Sequence, residues 1–126
     1  MLTPDTPFED QVAGHEQRNV VLVQRLVEMG VDPALPRLID LHFFMPSPVA
    51  ARELAAKLQV RGVGEVVVGK PNPTDGNTSL TISVLESVST ITRRPYIEFL
   101  VQTASDLRGI HDGWGTSVQR VQPVAP

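Results

Sequence analysis

Two segments of the chain alternate apolar and polar residues, and two more are rich in β-branched residues. The alternation over Leu35–Met45 and Thr78–Glu86 predicts strands with one buried face, because successive side chains of a strand point to opposite sides. The composition of Val63–Gly69 and Thr116–Val121 predicts two more strands. Turn residues over Lys70–Asn77 predict a hairpin. The predicted inward residues are Ile39, Leu41, Phe43, Leu80, Ile82 and Val84.

A first helix is predicted ahead of these strands. The sequence Thr6-Pro7-Phe8-Glu9 has the form of a capping box, with proline at the first helical position. Gly30 is a natural stop for this helix. The polar residues around His15 predict that the first half of this helix is more exposed to solvent than its second half. The predicted apolar stripe comprises Val12, Val20, Val23, Leu26 and Val27.

Two later segments also have helical spacing. Ser47 is the predicted cap of one helix, which Gly62 closes. The other runs from near Pro95 to Leu107, with Gly109 as its stop. The inward positions of the two helices are Ala50, Leu54 and Leu58 in the first and Phe99, Leu100, Thr103 and Leu107 in the second.

The order of these elements is a helix followed by β-α-β-β-α-β. That order predicts an α+β, ferredoxin-like sandwich, with two helices on one face of a four-stranded antiparallel sheet. The extra N-terminal helix must pack at the sheet edge or across the other face. We expect one domain over residues 1–126, with flexible termini at 1–5 and 122–126.

The run Asp112-Gly113-Trp114-Gly115-Thr116 contains the chain's one tryptophan between two glycines. Asp-Gly is a turn dipeptide, so the run predicts a tight turn that leads Trp114 into the last strand. A structural interpretation is that Trp114 fills the core and the glycines let the chain turn around it. Gly30-Val31-Asp32-Pro33 similarly combines a helix stop with an Asp-Pro turn.

These two runs carry a resemblance to a known family. His111-Asp112-Gly113-Trp114-Gly115-Thr116 resembles the C-terminal signature of the regulator of ribonuclease activity B family, the protein inhibitors of ribonuclease E. Met29–Pro33 resembles the passage from the family's N-terminal helix to its first strand. The resemblance implies a ferredoxin-like fold and a non-enzymatic regulator that binds a ribonuclease. The interaction surface would then include Asp32, His42, Asp112, Trp114 and Thr116.

Composition limits the other functions. The chain has no cysteine, which excludes disulfides and thiolate metal sites and suits the cytoplasm of a bacterium. Its formal net charge of −3 argues against direct nucleic-acid binding. No apolar segment approaches the roughly 20 residues of a membrane helix. His42, His111 and Asp112 lack metal-site spacing, so we expect no metal, cofactor or catalysis.

Two alternatives stay open. Asp40, His42, Thr81 and Ser83 lie on the same open face of the predicted sheet, where they could bind a small ligand or belong to a simply solvated surface. The fold could also serve as an interaction domain for an unrelated partner. Self-association through an open sheet edge is compatible with the sequence.

Overall fold

The computed structural model describes residues 3–59 and 64–118 of the chain. The helices are α1 (Phe8–Glu28), α2 (Pro48–Gln59), α3 (Val88–Ile91) and α4 (Arg94–Asp106). The strands are β1 (Pro36–Met45), β2 (Val66–Val68), β3 (Thr78–Ser87) and β4 (Ile110–Gly115).

The four strands form one antiparallel sheet in the order β2-β3-β1-β4. The long central pair runs in register from Pro36 opposite Ser87 to Met45 opposite Thr78. The β2–β3 pair forms the predicted hairpin. This order and the two covering helices confirm the ferredoxin-like arrangement.

The hydrophobic core lies between the sheet and the helices. Every predicted inward residue of β1 and β3 is buried, which confirms the alternation. Leu54 and Leu58 of α2 are buried as predicted, and the Ser47 hydroxyl accepts a hydrogen bond from the Ala50 N–H at 3.1 Å. The predicted stop at Gly62 lies outside the described residues, as do Val63 and residues 119–126.

The first helix packs at the β4 edge of the sheet, against α4. Its predicted capping box is wrong, because α1 has no side-chain cap and Pro7 occupies the N-cap position. Thr6 Oγ1 instead accepts from the Thr3 N–H, and Glu9 pairs with Arg94. The predicted stop is confirmed: Gly30 has φ +92°, and the Val31 N–H bonds to the Leu26 carbonyl in a Schellman motif.

The predicted stripe of α1 is partly wrong. Val20 is 69% exposed and Val27 is half exposed, whereas His15 is buried. Val12 and Leu26 are buried as predicted. The face of α1 that packs inward therefore differs from the one that its valines indicate.

The last helix begins at Arg94, close to the prediction, and a short helix that the sequence did not indicate precedes it. The buried residues of α4 are Ile97, Leu100, Val101 and Ala104. The predicted inner stripe is therefore confirmed at Leu100, and Phe99 and Leu107 are partly buried and pack against the core. Thr103 is only partly buried, and the stripe missed Ile97, Val101 and Ala104.

The end of α4 also differs from the prediction. The left-handed residue that ends the helix is Arg108, with φ +60°, rather than Gly109. The Gly109 N–H bonds to the Ala104 carbonyl. A Cβ at Gly109 would meet the Met45 sulfur and lie 3.0 Å from the Phe44 carbonyl oxygen, so this glycine allows a close approach to β1.

Candidate functional site

The predicted turn at Asp112-Gly113 is an interior part of strand β4. Phe43 of β1 lies opposite His111 and Leu41 lies opposite Trp114, with a shift of register between them. One extra residue of β4 therefore forms a β-bulge. Gly113 has φ +140°, a conformation that side chains other than glycine rarely adopt. The prediction of a strand over Thr116–Val121 is wrong for 116–118, which follow β4.

The bulge decides which way two aromatic side chains point. Residues three apart on a regular strand face opposite sides of the sheet. With the extra residue, His111 and Trp114 both face the helical side, opposite the inward residues Phe43 and Leu41. The bulge that Gly113 allows thus places the His111 and Trp114 rings on the same face of the sheet.

Helix α1 meets these two rings with two polar side chains one turn apart. The His15 ring stacks on His111, with centroids 4.7 Å apart. Asn19 Oδ1 accepts a hydrogen bond from Trp114 Nε1 at 2.9 Å. His15, Asn19 and His111 are all buried. We call these four residues the polar junction, because they join α1 to the sheet through polar contacts.

The hydrogen bonds of the two histidines fix their tautomers. His111 Nδ1 lies 3.1 Å from the His42 carbonyl oxygen, which can only accept, so this nitrogen carries hydrogen. Arg18 donates to His15 Nδ1 at 3.1 Å, so His15 in its neutral form carries hydrogen on Nε2. His15 Nε2 is buried and has no hydrogen-bond partner among the described residues.

Both histidines are neutral at pH 7. Burial, reinforced by the charge of Arg18, lowers the pKa of His15 to about 4, although the His111 backbone and Asp112 act in the opposite direction. Burial, followed by the charge of His15, lowers the pKa of His111 to about 3. The polar junction is therefore a neutral, desolvated contact rather than an acid–base pair poised near pH 7.

A cleft of about 180 Å³ opens beside the polar junction. It brings together three of the five predicted site residues: His42, Asp112 and Trp114. Asp112 is exposed, and its backbone carbonyl accepts from Arg18 at 3.3 Å. His42 lies on the outer face of the sheet, with Nδ1 3.2 Å from Thr81 Oγ1.

The other two predicted residues lie away from this cleft. Asp32 is exposed in the turn after α1, where its Oδ1 accepts from the Ala34 N–H at 2.9 Å. Thr116 donates to the Leu38 carbonyl at 2.7 Å and accepts from Arg37 Nε at 2.9 Å. The five residues therefore divide between two places at the β4 side of the sheet.

Sequence reasoning missed the contribution of α1 to this site. His15, Arg18 and Asn19 line the cleft, although the sequence analysis placed His15 in a wetter half of the helix. A signal was present: the residues Phe8, Val12, His15, Asn19, Leu22 and Leu26 recur three or four positions apart. A stripe with that spacing is the packed face of a helix, even where two of its members are polar.

Metal chemistry finds no support over residues 3–59 and 64–118. No group of three or more His, Asp or Glu side chains in those ranges could hold a metal ion. The same ranges contain no helix with the length and apolar character needed to span a membrane.

Comparison with known proteins gives one family. The family model described as regulator of ribonuclease activity B matches residues 16–116. This range includes three of the four residues of the polar junction, Asn19, His111 and Trp114. No curated protein matches the chain. The family match confirms the resemblance carried by the residues of the bulge.

Proposed function

This chain belongs to the regulator of ribonuclease activity B family, and we propose from that premise that it binds a ribonuclease of the ribonuclease E type directly. Binding would lower the activity of the ribonuclease without any chemistry by this chain. The observation that carries the proposal is the extent of the family match, which runs from α1 through the bulge of β4. Since the chain has no cysteine, a reducing cytoplasm suits this role.

The proposed contact surface centres on Asp112, with His42 and Trp114 beside it and Asp32 and Thr116 further along the same side. Asp112 supports this choice because its side chain is exposed, Arg18 donates to its backbone carbonyl, and its two neighbours His111 and Gly113 pair with β1. A charged side chain on a fixed backbone loses little entropy when a partner binds. Asn19 holds the Trp114 ring, so we give that residue a positioning role at this surface.

The outer face of the sheet is less suited to a small ligand. Ser83 donates to Asp40 Oδ1 at 2.7 Å, and His42 Nδ1 lies 3.2 Å from the Thr81 hydroxyl. These four polar groups already pair with one another across β1 and β3. A small ligand on this face would meet polar groups that are already hydrogen-bonded to one another, so we favour a protein partner.

The test is a titration of purified chain into purified ribonuclease E of the same organism, with both binding and RNA cleavage followed. We expect a direct complex and slower cleavage, and no cleavage by this chain alone. Asp112→Lys should weaken the complex, and Asp106→Lys is a control with the same charge change at the exposed end of α4. The absence of a complex with the unmodified chain would contradict the proposal.

A further inference from the structure

A second and larger depression lies at the other end of β1. It is a groove of about 850 Å³ between the end of α1, the start of β1 and the residues that follow β4. This volume is within the range of sites that bind ligands or side chains of a partner. The residues that matter for its chemistry are Met29, Asp32, Leu35, Leu38 and Asp40; we call this depression the β1 groove.

The walls of the β1 groove are aliphatic and exposed. Met29 is 61% exposed, Leu35 60% and Leu38 67%. A cluster of large aliphatic side chains at a concave surface indicates a site that a partner covers, whereas single exposed leucines need no explanation. These side chains are long enough to pack along the stem of another long side chain.

The same groove contains two carboxylates that are held in position. Asp32 Oδ1 accepts from the Ala34 N–H at 2.9 Å, and Asp40 Oδ1 accepts from the Ser83 hydroxyl at 2.7 Å. Within residues 3–59 and 64–118, neither carboxylate forms an ion pair. Each side chain is therefore fixed through one oxygen, while its charge has no cationic partner within the described part of the chain.

Arg37 also lines the groove, but it donates its hydrogen bonds to neutral oxygens rather than to the two carboxylates. Arg37 donates from Nε to the Thr116 hydroxyl at 2.9 Å and from Nη2 to the Ser117 carbonyl at 2.7 Å. Its donors therefore hold the segment after β4 against β1. The groove therefore has aliphatic walls and two oriented carboxylates. In the described part of the chain, no ion pair neutralises these carboxylates.

We propose that the β1 groove receives a segment of the ribonuclease in which an Arg or Lys stands beside an apolar residue. The inference rests on the proposed function and names the second contact that this function uses. The cationic head would pair with Asp32 and Asp40, and its methylene stem would lie along Leu35 and Leu38, as long basic side chains do at apolar surfaces. The neighbouring apolar residue would contact Met29.

The test measures affinity for intact ribonuclease E by surface plasmon resonance at two salt concentrations. The Asp32→Asn, Asp40→Asn double variant keeps the oxygens that accept from Ala34 and Ser83 and removes only the charges. We expect about tenfold weaker binding at low salt and a smaller loss of affinity on adding salt. Leu38→Ser should weaken binding about tenfold and leave the salt dependence unchanged.

Matched controls come from the same sheet and the same residue types. Leu85 lies opposite Leu38, is 66% exposed and does not line the groove, so Leu85→Ser should bind as the unmodified chain does. Asp106→Asn is the control for loss of charge at an exposed position. Circular dichroism and thermal melting of each variant verify that it is folded.

The outcomes separate the two proposals. Weakening at the groove positions with unchanged controls supports the groove. Normal binding by all groove variants overturns the groove and leaves the proposed function standing, and so does equal weakening by Leu38→Ser and Leu85→Ser. If the unmodified chain forms no complex with ribonuclease E, both proposals are wrong.

Discussion

The side of the core under α2 and the polar junction under α1 are both buried, yet they are built from opposite chemistry. Under α2, Leu54 packs into a cluster with Leu80 and Ile82, and all three are almost fully buried. At the junction, the buried contacts are a histidine stack and a Trp–Asn hydrogen bond. The stability of apolar contacts depends on the buried area and on how well the side chains fit. That of polar contacts also depends on the protonation state of each group and on its hydrogen-bond partner.

This comparison predicts that the two regions respond differently to pH, which is the largest effect we expect. Folding lowers the pKa of His15 to about 4 and of His111 to about 3, each from an ordinary 6.5. Well above pH 6.5 both histidines are neutral in the folded and the unfolded chain, so they add no pH dependence to stability. As pH falls below 6.5 the unfolded chain binds protons first, so stability declines until the folded pKa values are reached.

The expected loss between pH 7 and pH 5 is about 2 kcal/mol per histidine, so about 4 kcal/mol in total. Urea unfolding at several pH values measures it. His15→Leu should remove about half of this loss and cost little at pH 7, because it also removes the unpaired buried Nε2. Leu54→Ala should cost the same at both pH values. An unchanged pH profile in His15→Leu would contradict the assignment.

The next largest effect concerns the hydrogen bond of the signature tryptophan. Trp114→Ala removes a partly buried ring and should cost about 3 kcal/mol of unfolding free energy. Trp114→Phe keeps most of the ring but leaves Asn19 Oδ1 without its donor, which should cost about 1 kcal/mol. Chemical denaturation of both variants separates the two contributions. Equal costs would mean that the hydrogen bond, and not the packing of the ring, holds α1.

A smaller effect tests the bulge. Gly113→Ala meets no atom within 4 Å but must adopt φ +140°, so the cost is in the backbone alone, about 1–2 kcal/mol. Gly115→Ala is the matched control, since its Cβ would lie an ordinary 3.7 Å from His42 Nε2. Thermal melting compares them. Similar stabilities for the two variants would contradict the role we assign to Gly113.

The smallest effect lies at the end of α4, which links the two regions. Arg108 holds a left-handed conformation at φ +60°, where glycine would have no Cβ penalty. Arg108→Gly should therefore raise the unfolding free energy by up to about 1 kcal/mol, reduced by the greater freedom of glycine in the unfolded chain. The measurement is urea denaturation. A clear loss of stability would show that the Arg108 side chain has a structural role.

Local pattern was sufficient to predict the ferredoxin-like order, the inward residues of β1 and β3, the cap at Ser47 and the stop at Gly30. Each of these depends on neighbouring residues or on the period of a single element. The signature at Asp112–Thr116 was also enough to indicate the family, which the match over 16–116 confirms.

Only the tertiary structure decided what the signature does. Asp-Gly favours a turn locally, but pairing with β1 on one side and packing against α1 made it a bulge inside a strand. In the same way, the exposed valines of α1 indicated one face, and contact with β4 selected the face that carries His15 and Asn19. A buried polar residue is stable only when a partner is present, and that partner, here His111 or Trp114, is about ninety-five positions away in the chain.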